Sequence, residues 1–213
     1  MTEMTDNFLQ LFCVFVCGCV SFFSAITKRS YKWLLMLLFY LSYGMGLVYW
    51  VLYLVLFGTS PLVFCISELS WTASYIFLAM CLAADIPKEK QTGKINIVFW
   101  SLPAFSIIMG ILFCTRGSYF ENVLMGVSMS VLGFYAAKGL YVNGRGNRNG
   151  RNGVFTAVLL FYAAEYLLWT CSYFTAENGL TNLYYMIDTF ILNPALITIA
   201  AAQIREDKLC RTT

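Results

Sequence analysis

Apolar residues run along this chain in seven stretches, each close to the roughly 20 residues that cross a hydrocarbon core of about 30 Å as a helix. They read as Phe8–Thr27, Trp33–Phe57, Pro61–Ala84, Ile95–Cys114, Glu121–Tyr141, Val154–Phe174 and Leu180–Ala202, with short polar or glycine-bearing segments between them. The pattern predicts an all-α, polytopic bundle of seven membrane helices, a single integral domain over residues 1–213.

The polar segments orient the bundle. If Met1 starts outside, all but Arg116 of the 14 Lys and Arg fall on the inner side. They are Lys28, Arg29 and Lys32; Lys88, Lys90 and Lys94; Lys138, Arg145, Arg148 and Arg151; and Arg205, Lys208 and Arg211. Short cytoplasmic loops retain basic residues, so the N-terminus is expected outside and the C-terminus inside. No positive charge precedes the first stretch and Lys28-Arg29 follows it, so it reads as a retained anchor and not a cleaved signal peptide. The glycine-rich basic loop from Asn143 to Gly153 suits anionic headgroups. It lacks the Gly-Lys-Ser/Thr ending and the preceding strand of a nucleotide-phosphate loop.

Composition narrows the class. With 60% hydrophobic residues, 12% charged residues and a mean hydropathy of +0.70, an ordinary soluble domain is excluded. The net charge of +3 reflects the inner loops and gives no sign of nucleic-acid binding. Of the cysteines, Cys13, Cys17, Cys19, Cys65, Cys81, Cys114 and Cys171 fall in or at the end of apolar spans, and Cys210 falls in the tail. That distribution suits small packing residues, not a disulfide framework. Cys13 and Cys17 lie one turn apart. The sequence contains no histidine, which dismisses haem and histidine-ligated zinc, and no cofactor is implied.

Three carboxylates lie inside the spans: Glu68, Glu165 and Asp188. At 1.5 Å per residue they sit roughly 10, 14 and 12 Å below the outer ends. An acid at a helix centre costs roughly 2.5–3.5 kcal/mol, so each is expected to face the bundle interior. Aromatic residues share their faces: Trp71 and Tyr75 follow Glu68, Tyr162 and Trp169 flank Glu165, and Tyr184 and Tyr185 precede Asp188. Carboxylates beside aromatic faces suit an organic cation, and the same groups would serve a proton or a sodium ion. The structural alternative is that the acids are neutral and fasten helices together through hydrogen bonds. Asn193-Pro194 near mid-membrane predicts a kink or hinge. The candidate ligand or ion site is therefore Glu68, Trp71, Tyr75, Tyr162, Glu165, Trp169, Tyr184, Asp188 and Asn193. Trp50, Tyr53, Trp169, Tyr173, Tyr184 and Tyr185 read first as outer-interface anchors. Lys138 is expected to snorkel, and Asn96 and Ser101 are polar interior candidates on the fourth helix.

Two halves of three helices around a linker helix are suggested by matching intervals. Asn7 to Gly18 repeats as Asn122 to Gly133, and Phe39-Tyr40 recurs as Phe161-Tyr162. Parallel repeats of this kind occur among transporters. Rhodopsins and G-protein-coupled receptors are set aside. The seventh span has no lysine for a retinal Schiff base, and the receptors' Asp/Glu-Arg-Tyr sequence is absent.

The stretch Ser67-Glu68-Leu69-Ser70-Trp71-Thr72-Ala73-Ser74-Tyr75, after a glycine-containing aromatic second helix, resembles the seven-helix sensor region that precedes bacterial diguanylate cyclase and histidine kinase domains. In that family an acid is followed by an aromatic, a small residue and a tyrosine, as with Glu68, Trp71, Ser74 and Tyr75. The resemblance implies a sensor in a bacterial plasma membrane. With no output domain in this sequence, it would act through a signalling partner. A second stretch, Leu159 to Glu165, is similar to the Leu-Phe-x-x-Ser-Asp segment of the lysoplasmalogenase family, which would make Glu165 catalytic in a lipid hydrolase. That family's Gly-Asp and histidine have no counterpart here. The leading expectation is a non-enzymatic sensor or binding module with an outward acidic pocket. The alternatives are a small-molecule or ion-coupled transporter and an intramembrane hydrolase.

Overall fold

The computed structural model describes residues 3–61, 65–86, 97–144, 152–174 and 181–212. Among these residues, seven helices are long and apolar enough to cross a membrane. Helix α1 spans Glu3–Lys28, with Glu3 and Asp6 in its first turn and Lys28 in its last, the arrangement the helix dipole favours. Helix α2 (Tyr31–Phe57) stops at Gly58, whose φ of 71° lets its N–H reach the Leu54 carbonyl. Helix α3 spans Cys65–Asp85. A 3-10 turn, Ile97–Trp100, leads into α4 (Ser101–Cys114), where Pro103 occupies the first turn and needs no N–H partner. Helices α5 (Tyr119–Gly144) and α6 (Gly153–Phe174) follow.

The seventh span is interrupted. Helix α7 (Thr181–Ile187) passes through a π turn, Asp188–Leu192, into α8 (Asn193–Thr212). Within the π turn the Asn193 N–H bonds the Asp188 carbonyl, five residues back. Pro194 comes next and has no N–H to restore the α register.

Helices α1, α2, α3, α5, α6 and the seventh span pack in that order and close into a ring, because α8 also packs on α1. Helix α4 lies against α5, where Gly110 and Gly126 bring the two backbones together; a Cβ on Gly110 would meet the Asn122 carbonyl at 3.3 Å. Small residues at such crossings are how membrane helices approach. Inside the ring, Phe39, Tyr40, Leu78, Leu82, Phe155, Phe161 and Leu196 are fully buried. The outer faces carry Phe12, Phe15, Phe23, Leu56 and Ile111, all exposed. Helices apolar on both faces suit lipid outside and a packed core within.

One end of the ring is tied shut. Lys28 Nζ lies 2.6 Å from Asp207 Oδ2, which also accepts from Trp33 Nε1 at 2.6 Å. Lys32 pairs with Asp85. Glu206 Oε1 accepts from the Val154 N–H at 3.0 Å and so caps α6 from another helix. These contacts join α1, α2, α3, α6 and α8.

Several expectations shift. The first helix starts at Glu3 and not Phe8, and Pro61 lies outside α3. The fifth span starts at Tyr119, and the seventh continues past Ala202 to Thr212. Ser101 is exposed and bonds the Val98 carbonyl; the buried serine of α4 is Ser106. Lys138 is buried beside the Phe134 ring and does not reach outward. Lys88, Lys90, Lys94, Ile95, Asn96, Arg145, Arg148, Arg151 and Leu180 lie outside the described residues, as does most of the glycine-rich loop.

Candidate ligand-binding site

At the end opposite the ion pairs the ring opens into a cavity of ≈ 530 Å³. Its size is that of a small-molecule site. Every helix of the ring contributes to it, and its carboxylates are Glu3, Glu68, Glu121, Glu165 and Asp188. Tyr43, Trp50, Trp71, Trp169, Tyr173, Tyr184 and Tyr185 supply aromatic surface. No basic side chain lines the cavity among the described residues.

Glu165 sits deepest on α6, 2% exposed. Tyr43 Oη on α2 donates to its Oε1 at 3.1 Å, and Tyr75 and Trp169 also come within hydrogen-bonding reach of the carboxyl. Behind it, Tyr43, Tyr75 and Phe39 pack around the Phe161 ring. That aromatic backing fixes where the carboxyl points.

A second acidic centre joins the first and seventh spans. Asp188 opens the π turn, and its Oδ1 accepts from Gln10 Nε2 at 2.5 Å. Asp6, fully buried, lies beside Asp188, and its Oδ1 accepts from Thr189 Oγ1 at 2.7 Å. Its Oδ2 has no hydrogen-bond partner among the described residues. Two neighbouring buried carboxyls repel when both are ionised. At the rim, Glu3 Oε1 accepts from Trp50 Nε1 at 2.9 Å and from Ser60 Oγ at 2.9 Å. Those bonds hold the start of α1 against the end of α2.

Of the nine expected site residues, Glu68, Trp71, Glu165, Trp169, Tyr184 and Asp188 line this one cavity. Tyr75 stands behind it, buried at the Glu165 carboxyl. Tyr162 is turned away towards α4: its Oη lies 2.6 Å from Ser106 Oγ and donates to the Leu102 carbonyl at 3.0 Å. Its place three residues before Glu165 does put it on the same side of α6, but α4 captures the hydroxyl. Asn193 lies one π turn below Asp188, 3% exposed, and neither its Nδ2 nor its Oδ1 is hydrogen-bonded among the described residues. Trp50, Trp169, Tyr173, Tyr184 and Tyr185 line the cavity.

Asp6, Gln10, Glu3 and Tyr43 were not anticipated. Glu3, Asp6, Asn7 and Gln10 fall at i, i+3, i+4 and i+7, one stripe of a helix. The signal was in the sequence, but Glu3, Asp6 and Asn7 precede the first apolar stretch and read as a tail, and Gln10 is a lone polar residue at its start.

Comparison of the chain with protein-family models, with curated proteins and with solved structures found no match.

Proposed function

We propose that this protein is a non-enzymatic membrane sensor or binding module that takes a small organic cation in its outward-facing cavity. The supporting observation is the wall itself: five carboxylates among seven aromatic rings, with no basic side chain among the described residues to neutralise them. A quaternary ammonium group is held by such rings at roughly 0.5–2 kcal/mol each, and a buried carboxylate supplies the counter-charge. The bias of Lys and Arg supports an N-terminus outside and the basic end inside. A bacterial plasma membrane and a signalling partner complete this reading, on the likeness of the Glu68–Tyr75 stretch to sensor regions.

Tryptophan emission reports binding directly, because Trp50, Trp71 and Trp169 line the site. Choline should change it saturably, and its neutral carbon analogue 3,3-dimethylbutanol should not. Glu165→Gln and Asp188→Asn keep shape and should weaken choline binding tenfold or more, about 1.4 kcal/mol, with little change in melting temperature. Glu165→Leu should instead destabilise the protein by about 1–3 kcal/mol, since it leaves the Tyr43 hydroxyl unpaired. Amide variants that bind as well as the wild type would reduce these acids to helix fasteners.

A second reading, a coupled transporter using the same cavity, is favoured by the seventh span. Its π turn and Pro194 adjoin the acidic centre, and its inner end carries the ion pairs that close the ring. The peripheral α4 also suits a linker between two three-helix halves. Proteoliposomes with an imposed pH or sodium gradient separate the two readings: a carrier moves choline, and a sensor binds it without flux.

A further inference from the structure

The turn between α1 and α2 contains a residue in an unfavourable conformation. Arg29 has a φ of 46°, and it is the one non-glycine residue with positive φ among those described. Glycine adopts this conformation freely, as Gly58 does at the end of α2, whereas a Cβ makes it costly. A bare turn would be better served by glycine, so the guanidinium has another use.

Its neighbours show which. Lys28 is taken up by Asp207 and by the face of Trp33, 4.6 Å from the ring centroid, and Lys32 is taken up by Asp85. Arg29 is exposed and forms no ion pair among the described residues. The left-handed turn carries it out of the lysine–aspartate network. Beside it lies a groove of ≈ 450 Å³ between the two helices. Phe22, Ala25 and Ile26 form one wall and Leu34 and Leu37 the other, with Arg29, Ser30 and Tyr31 at the mouth. The groove lies on the outside of the ring, at the basic end of the bundle.

We infer that this groove is a binding site for an anionic phospholipid. The phosphate meets the Arg29 guanidinium, and an acyl chain lies between Phe22 and Ile26 on one side and Leu34 and Leu37 on the other. A guanidinium fork matches phosphate oxygens in two parallel hydrogen bonds. The apolar walls continue directly from the charged mouth, which a lipid satisfies along its whole length. A free phosphate ion would use the mouth alone. This site is remote from the outer cavity and does not rest on the function proposed for it.

The test is thermal stability of the full chain in a neutral detergent, titrated with phosphatidylglycerol, phosphatidylcholine or inorganic phosphate. Phosphatidylglycerol should raise the melting temperature saturably, and the other two should not. Arg29→Gly should keep the lipid-free melting temperature or raise it, because the backbone strain is relieved, while losing the phosphatidylglycerol shift. Arg205→Gln, which removes an exposed arginine of α8, should retain that shift. The inference is overturned if Arg29→Gly responds to phosphatidylglycerol as the wild type does. It is also overturned if phosphatidylcholine or phosphate alone reproduces the effect, or if Arg205→Gln loses the shift equally, since that would reflect general charge attraction.

Discussion

Trp71 shows how one small residue sets the shape of the cavity. A Cβ built on Gly46 would stand 2.7 Å from Trp71 Nε1 and 3.1 Å from its Cδ1, closer than atoms pack. The indole therefore lies across the α2 backbone, between Trp50 and Tyr43 with ring centroids 6.1 and 6.4 Å away. Gly46→Ala adds a single methyl group yet forces the indole to move. Overpacking of this kind costs roughly 1–3 kcal/mol, and here much of it should fall on the site, because Trp71 is half-buried and can swing into the cavity. Choline affinity should drop severalfold while the melting temperature falls by only a few degrees. A binding curve identical to the wild type would show that Trp71 does not touch the ligand. The sequence marked Trp71 through its spacing from Glu68. It could not mark Gly46, since a glycine in an apolar helix has no signature of what it faces.

At the scale of the element, the seventh span matters most. Its π turn places Asp188 opposite Asp6 and Gln10, with Asn193 directly below. A π turn inserts one extra residue into the helical register and turns everything above it by about a quarter to a third of a revolution. Pro194→Ala restores the missing N–H and allows the span to wind as a continuous α-helix. Asp188 would then rotate away from Gln10 and lose the 2.5 Å bond. The variant should retain its helix content by circular dichroism and lose choline affinity, with Asn193→Ala serving as a side-chain control that leaves the register alone. Wild-type affinity in Pro194→Ala would mean that the π turn is only a packing accident. The proline was legible in the sequence, and so was an irregularity in the helix around it. The π turn was not, because it depends on which carbonyl Asn193 finds, a choice made by the neighbouring helices. For the same reason the spans were legible to within a few residues where apolar runs end abruptly, as at Phe57, Cys114 and Phe174. The first helix begins before its apolar stretch because its polar residues find partners on α2 and the seventh span, Glu3 on Trp50 and Gln10 on Asp188.

The whole molecule is asymmetric from end to end. At one end, carboxylates without basic partners among the described residues surround an open cavity; at the other, Lys28, Lys32, Asp85, Glu206 and Asp207 tie five helices together. The basic end was legible in the loops, and three of the cavity's carboxylates were legible inside the spans. Which carboxylates would meet was not, because Asp6 and Asp188 are brought together only by closure of the ring. This polarity makes orientation decisive for function. A cavity facing outward samples the surroundings of the cell, whereas the same cavity facing inward would monitor a cytoplasmic solute, and the bias of Lys and Arg argues for the first. With the native cysteines replaced, a cysteine at Ser118, exposed in the turn between α4 and α5, should react from outside with a membrane-impermeant maleimide. One at Asn147, in the basic loop, should react only after the membrane is permeabilised. Choline added outside should slow labelling of a third cysteine placed at Ser172 on the cavity wall and leave Ser118 unaffected. Labelling of Asn147 in intact cells with Ser118 protected would turn the molecule over and with it the source of the ligand. Correct orientation without protection of Ser172 would leave the topology standing and remove the organic cation.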